Sequence, residues 1–216
     1  VGTKYTITWD TDLKIGLVSS LADRRSSGAV GALPPRIFST EPGLARAAVI
    51  ALGRIGDAAA AAALADAFSR SEGPLKTEIA YALLGPVDGC LAARDFTAAL
   101  VLAERILSAP IDAVPTAVRQ SAFKAKLLSL DKPEAARLII ETLTRGPQEM
   151  QQPALGQVHH LFSEAEIGTL AALLPKLPEA ARVQLITVLA DYPTAVTLAP
   201  VTTALTVRSA VHQGWR

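Results

Sequence analysis

The stretch that decides the fold is PGLARAAVIALGRIGDAAAAAALADAF, residues Pro42–Phe68. Apolar side chains recur in it at steps of three and four residues, the period of one helical face. In the first half these are Ala45, Ala48, Val49, Leu52 and Ile55, and in the second half Ala60, Ala61, Leu64, Ala65 and Phe68. Pro42 suits the first turn of a helix, and Asp57 suits the N-cap of a second helix. Gly53 and Gly56 suit a helix end and the close approach of a neighbouring helix. Two helices with one narrow apolar stripe each cannot bury both stripes alone, so the stretch predicts a helix pair that needs similar neighbours.

Similar cap residues and helix-opening prolines recur along the chain. Residues suited to an N-cap recur at intervals of about 31 to 38 residues, the range of helical solenoid repeats. These candidate caps are Ser26, Asp57, Asp95, Asp131, Ser163 and Thr194. Prolines that suit helix starts keep a similar rhythm, at Pro42, Pro74, Pro115, Pro147 and Pro178. The sequence therefore predicts an all-α fold, a right-handed α-α superhelix of about six helix pairs.

The predicted organisation has three parts. Residues 1–10 form a short extended N-terminal arm, because apolar and polar residues alternate weakly there. Residues 11–207 form the repeat domain and residues 208–216 a C-terminal tail. The predicted repeats span approximately 11–39, 42–69, 74–108, 115–145, 147–175 and 178–207. Because the chain starts at Val1 rather than Met, we expect a processed protein or a piece of a longer one.

Local patterns add detail to individual repeats. The first helix is expected to bury one face, made of Leu13, Leu17, Val18 and Leu21. In the third repeat, Gly85-Pro86 is expected to end the first helix, which places Cys90 in a long turn before the cap at Asp95. The first helix of the fourth repeat is expected to bury Val118, Ala122, Ala125 and Leu128.

Composition excludes several classes of protein. The 216 residues are 50% hydrophobic, 5% aromatic and close to neutral, with a net charge of +1. Nucleic-acid binders usually carry a basic excess, so no nucleic-acid partner is expected. No run of about 18 apolar residues is free of charges or breaks, so no membrane span is expected either. The single cysteine, Cys90, excludes an intramolecular disulfide and a cysteine zinc cluster.

The segment RAAVIALGRIGDAAAAAALADAF, residues Arg46–Phe68, resembles a HEAT repeat of the type named after phycocyanobilin lyases. Its matching elements are an alanine pair, Leu-Gly, Ile-Gly-Asp and a later leucine. They lie at Ala47-Ala48, Leu52-Gly53, Ile55-Gly56-Asp57 and Leu64. The other repeats fit by period and capping. The resemblance implies a HEAT-like solenoid over about residues 11–207, and family members of this type scaffold, bind partners or occasionally catalyse. FTAALVLAERIL also suits the second helix of a tetratricopeptide repeat, whose Trp, Tyr and Gly positions are not reproduced here.

Residues that could carry chemistry have simpler interpretations. His159 and His160 are adjacent and therefore point about 100° apart on a helix, which does not suit one metal ion. Cys90 lacks a Cys–His motif, and the aspartates Asp57, Asp131 and Asp191 suit helix caps or hydrogen bonds between repeats better than catalysis. Arg24, Arg25 and Arg36 could meet an anionic partner or simply be solvated. We expect no catalytic residue, no cofactor and no metal site.

The second helices of stacked pairs usually line the concave side of a solenoid. Their outward residues are the predicted partner-binding set: Asp66, Arg70, Glu104, Arg105, Arg137, Glu141 and Arg145. Both charge signs occur, and Arg137 and Glu141 could instead pair with each other, since they are four residues apart.

The function that these observations favour is a non-catalytic protein–protein interaction scaffold. Its expected partner is another protein or another domain of the same chain. Two alternatives are a bilin or chromophore lyase-like enzyme or chaperone, implied by the resemblance, and a helical-repeat nucleic-acid enzyme such as an alkylpurine glycosylase. Neutral charge and few aromatic residues disfavour the last one.

Overall fold

A computed structural model describes residues 10–163, 166–192, 199 and 201–202. The helices are α1 (Thr11–Asp23), α2 (Pro34–Ile37), α3 (Pro42–Ile55), α4 (Ala58–Arg70), α5 (Gly73–Ala92), α6 (Phe96–Leu107), α7 (Thr116–Ser129), α8 (Lys132–Arg145), α9 (Gln148–Leu155), α10 (Val158–Leu161), α11 (Ile167–Ala171) and α12 (Glu179–Leu189). Short 3-10 helices cover Ser27–Ala32, Ile111–Ala113 and Leu174–Lys176. These described residues contain helices and no strand, which confirms the all-α prediction. The predicted arm up to residue 9, the cap at Thr194 and the C-terminal tail lie outside the described residues.

The decisive stretch forms the helix pair that its sequence predicts. Pro42 is the first residue of α3, and the helix ends at Gly56, whose φ of 66° is the left-handed conformation that glycine adopts without steric cost. The Asp57 carboxylate then accepts the backbone N–H of Ala60 at 2.8 Å, which caps α4. The two helices expose little of their alanine-rich stripes, and Leu52 and Leu64 are completely buried.

The chain divides into two compact units, Val1–Ser129 (unit 1) and Leu130–Arg216 (unit 2). In unit 1 the helices form two layers. The first-helix layer consists of α1, α3, α5 and α7, each packed against the next, and the second-helix layer consists of α2, α4 and α6. The core of unit 1 lies between these layers, as a continuous apolar cluster from Val18 to Ala125. Within unit 1 the chain therefore forms the stacked helix pairs of an α-solenoid.

Contrary to the prediction, Gly85-Pro86 does not end the first helix of the third repeat. Helix α5 continues through Pro86 to Ala92, so Cys90 lies in the helix and not in a turn. Proline removes one helical N–H donor, which leaves the Ala82 carbonyl without a bond from residue 86. This carbonyl lies against α3, since a Cβ added to Gly53 would be 2.8 Å from the Ala82 oxygen. A close contact between α3 and α5 thus accompanies the interior proline.

The first repeat buries only part of the predicted face, and the fourth buries the predicted residues except Leu128. In α1, Val18 and Ala22 are buried, whereas Leu13 and Leu17 are exposed. In α7, Leu127 is buried in place of Leu128. In the first repeat the second helix is short and divided. Ser26 precedes a 3-10 helix without a side-chain cap bond, and Pro34 opens α2. Pro34 and Pro35 lack the N–H donors that would join the 3-10 helix and α2 into one longer helix.

Unit 2 has shorter helices. Helix α8 packs on α9 and α10, and α12 packs on α9 and α11. Asp131 caps α8 by accepting the Glu134 N–H at 2.8 Å, as predicted. At Ser163, a predicted cap, the side chain of Glu166 forms one half of a capping box. Its carboxylate accepts the Ser163 N–H at 2.8 Å and also the Ser163 hydroxyl at 2.7 Å.

Candidate partner-binding surfaces

The predicted partner-binding residues of unit 1 are exposed, and contacts between side chains connect them across α4, α6 and α7. On α4 the Arg70 guanidinium contacts the Asp66 carboxylate at 3.0 Å. Arg105 of α6 donates to the Ser69 hydroxyl of α4 at 2.9 Å. Lys126 of α7 donates to the Glu104 carboxylate at 2.8 Å. We call these six residues, Asp66, Ser69, Arg70, Glu104, Arg105 and Lys126, the polar row.

Two exposed apolar side chains accompany the polar row. The Arg70 guanidinium lies over the ring of Phe38, 4.8 Å from its centroid, and 42% of Phe38 is exposed. Val101 is 57% exposed and precedes Glu104 and Arg105 by three and four residues, so it shares their face of α6. The surface thus combines charges of both signs with apolar side chains that the core does not use.

The remaining predicted residues lie in unit 2 on successive turns of α8. Arg137, Glu141 and Arg145 are exposed. Among the described residues no ion pair forms between Arg137 and Glu141, although their spacing would allow one. These three side chains therefore present free charges of both signs to solvent.

A second surface, which the sequence analysis missed, is a groove between α3 and α5. Its central cavity has a volume of about 420 Å³. The residues lining it are Arg46, Val49, Ile50, Gly53, Arg54, Glu78, Tyr81, Ala82 and Gly85. Ile50 is 44% exposed and Tyr81 is 52% exposed. The sequence signal for this groove is one apolar residue on each helix, Ile50 on α3 and Tyr81 on α5, that lies outside the buried stripe.

The groove extends toward both ends of the two helices. A cavity of about 630 Å³ at their N-terminal ends shares Arg46 and Glu78 with the central one. Another, of about 690 Å³ at the C-terminal ends, shares Gly53, Arg54 and Gly85 with it. We call this continuous feature the first-helix groove. The glycines that line the groove carry no side chain, so the bottom of the groove, its floor, consists of helix backbone.

The thiol of Cys90, the candidate nucleophile, lies in an environment that favours its protonated form. Cys90 is partly buried in α5, and burial, followed by the nearby Asp95 carboxylate, raises the pKa of its thiol. A raised pKa keeps the thiol protonated and poorly nucleophilic at neutral pH. Across the described residues, no three His, Cys, Asp or Glu side chains form a group that could hold a metal ion.

The histidine pair does not converge on one point. His159 stacks on the Tyr192 ring with centroids 5.3 Å apart, and its Nδ1 lies 3.0 Å from the Tyr192 hydroxyl. Its Nε2 lies 3.4 Å from the Asp191 carboxylate. Asp191 therefore contacts a side chain of another predicted repeat. Asp57 and Asp131 cap helices, as predicted. His160 is exposed beside this cluster in sequence but takes no part in these contacts.

The arginines proposed to meet an anion do not form one described cluster. Arg36 donates to the Ala32 carbonyl at 3.3 Å, and Arg25 lines the cavity at the C-terminal end of the first-helix groove. Arg24 is exposed.

None of the helices in the described ranges combines the length and apolar character needed to cross a membrane.

Comparison with known proteins gives one family match. The search of curated proteins found no match to the chain. The family model for HEAT repeats matches residues 7–84, which include α1 to α4 and part of α5. The match supports the predicted HEAT repeats, but it does not specify the phycocyanobilin-lyase type. In its N-terminal part, over residues 7–84, the chain is thus similar to HEAT repeats.

Proposed function

We propose that this protein is a non-catalytic protein–protein interaction scaffold, alone or as a module of a larger protein. HEAT repeats generally serve as protein-interaction scaffolds, and residues 7–84 match them. The observation that carries the proposal is the polar row, whose charged side chains lie beside the exposed Phe38 and Val101.

Stability does not account for the polar row. Exposed ion pairs such as Asp66–Arg70 contribute only about 0 to 1 kcal/mol to folding. In contrast, arginine and aromatic side chains on one surface are typical of the residues that dominate binding energy at protein interfaces. The contacts between α4, α6 and α7 hold the charged groups in defined positions, which reduces the entropy lost on binding.

The charges on this surface favour a protein partner. The polar row contains Asp66 and Glu104 beside Arg70, Arg105 and Lys126, so it would repel a polyanion at some positions and attract it at others. A partner that carries both charge signs fits this pattern better than a nucleic acid does. The free charges of α8 extend the same proposal to unit 2.

The test is affinity capture of partners by the intact protein, followed by mass spectrometry. Reversing two charges of the polar row, with Arg70→Glu and Arg105→Glu together, should abolish capture of the specific partners. The matched control reverses two exposed lysines outside the row, with Lys124→Glu and Lys176→Glu, and should leave capture unchanged. Equal capture by both variants would contradict the role of the polar row.

The catalytic alternative has a direct test. Mixing the protein with a bilin and an apo-phycobiliprotein would produce a covalent coloured adduct if it were a lyase. Formation of that adduct would overturn the non-catalytic assignment.

A further inference from the structure

The outward rows of α3 and α5 have opposite charges. Along α3, the side chains at four-residue steps are Arg46, Ile50 and Arg54, which place a cation on each side of an apolar residue. Along α5, Glu78 and Asp88 lie on either side of Tyr81. These six side chains line the first-helix groove.

Contacts within the chain leave much of this charge accessible. Arg46 and Glu78 are 3.6 Å apart, with 68% and 39% of their side chains exposed. Arg54 contacts Asp23 of α1 at 2.6 Å, and both remain more than half exposed. Among the described residues Asp88 has no ion pair. The face can therefore form further ion pairs with a molecule that covers it.

We propose that the first-helix groove binds a second copy of this chain, with a two-fold axis parallel to α3 and α5. This axis places α3 opposite α5 of the second copy. Arg46 then faces Glu78 of the other copy, Ile50 faces Tyr81, and Arg54 faces Asp88. A two-fold interface uses the same patch twice, so every complementary pair occurs twice.

The charges select this orientation over the antiparallel one. A two-fold axis perpendicular to the helices would place α3 opposite α3 of the second copy in reverse direction. Arg46 would then face Arg54, and Glu78 would approach the Asp88 end of the other α5, and like charges in contact oppose association. In the parallel orientation the cations of one helix meet the anions of the other, and the two apolar pairs lie at the centre.

The available area predicts a weak dimer. Helices of 14 and 20 residues are ~21 and ~30 Å long. At an interaxial distance of about 9 Å, the face formed by α3 and α5 is roughly 18 Å wide and offers roughly 450 Å². Stable specific interfaces bury about 800 Å² on each partner, so association should depend on concentration. The proposal goes beyond the scaffold function, because none of the six residues of the polar row lines the groove. The two surfaces meet at Phe38, which lies under Arg70 and also lines the N-terminal cavity of the groove.

Sedimentation equilibrium of the full chain tests the proposal. Between about 1 and 500 µM, the range in which interfaces of modest area associate, the mass should rise from 22.6 kDa toward twice that value. A mass that stays at 22.6 kDa throughout would overturn the proposal.

Charge reversal tests the orientation. The acidic variant carries Arg46→Glu and Arg54→Glu, and the basic variant carries Glu78→Arg and Asp88→Arg. Each alone should remain monomeric, because α3 and α5 then carry the same charge sign. Mixed together in equal amounts they should recover the dimer, since each helix again meets an opposite charge. The control variant Lys124→Glu with Lys176→Glu should behave like the unaltered protein.

Circular dichroism establishes that each variant is folded before its mass is measured. Dimers of either single variant would overturn the proposal, as would a failure of the two folded variants to associate when mixed. Tyr81→Asp, which places a charge in the apolar centre, provides an independent variant and should also be monomeric.

Discussion

Replacing Gly85 with alanine tests the close contact between α3 and α5. A Cβ at residue 85 would lie 2.5 Å from the Gly53 carbonyl oxygen, far inside van der Waals contact. Both groups belong to helix backbones, so a side-chain rotation cannot relieve the clash. The two helices must separate, and the apolar residues around them must repack.

The expected magnitude is the difference between two effects. Overpacking of this kind costs about 1 to 3 kcal/mol, whereas alanine is about 1 kcal/mol better than glycine inside a helix. The difference is about 0 to 2 kcal/mol, and because the obstructing atom is backbone we expect Gly85→Ala to lie in the upper half of this range, lowering the free energy of unfolding by about 1 to 2 kcal/mol. Gly89→Ala is the matched control. It lies one turn later in α5, and its nearest obstruction, the Gly56 oxygen, is 3.9 Å away. This control should gain about 1 kcal/mol from helix propensity alone.

Urea denaturation followed by circular dichroism measures both variants. The midpoint should move to lower urea for Gly85→Ala and to higher urea for Gly89→Ala, with similar slopes. If both substitutions raised the midpoint equally, the two helices would not be in the contact described, and the account of the groove floor would be wrong.

Three further predictions concern single side chains. Asp57→Ala removes the cap bond to Ala60 and should lower the free energy of unfolding by about 1 kcal/mol, measured by the same denaturation. Cys90 should react with a disulfide reagent at pH 7 more slowly than a free cysteine, since burial raises its pKa, and fast reaction would contradict this. The Ser163 N–H and hydroxyl lower the pKa of Glu166 to about 2. Its contribution to stability is therefore complete above its usual pKa and lost as pH falls toward 2, and a carbon-detected NMR titration with a midpoint near 4.5 would contradict that.

Local patterns predicted the helix pairs because their causes are local. A capping aspartate needs only the next three residues, and Asp57, Asp95 and Asp131 each accept the backbone N–H that their position predicts. The end of α3 at Gly56 follows in the same way from the conformational freedom of glycine. The right-handed sense of the superhelix and the repeat boundaries depend on longer-range geometry and stay predictions.

The predictions that were wrong concern helix ends and buried faces that tertiary contacts determine. Pro86 would end an isolated helix, but α5 is packed against α3, α4, α6 and α7, and this packing outweighs one lost hydrogen bond. Leu13 and Leu17 fit a helical stripe, but within the described part of the chain α1 has one neighbour in its layer, α3. The periodicity of one helix does not indicate how many neighbours it has.

The first-helix groove shows why the sites were harder to predict than the fold. A helix inside a two-layer stack has neighbours on each side and beneath it, so only a narrow outward strip remains exposed. Residues on that strip contribute little to folding, so the pattern of buried apolar residues does not point to them. Ile50 and Tyr81 lie on this strip. At such exposed positions, polar residues would be as compatible with folding as apolar ones. Apolar residues next to ordered opposite charges are better explained by association than by folding, and that reasoning needs the structure, because Ile50 and Tyr81 are 31 positions apart in sequence.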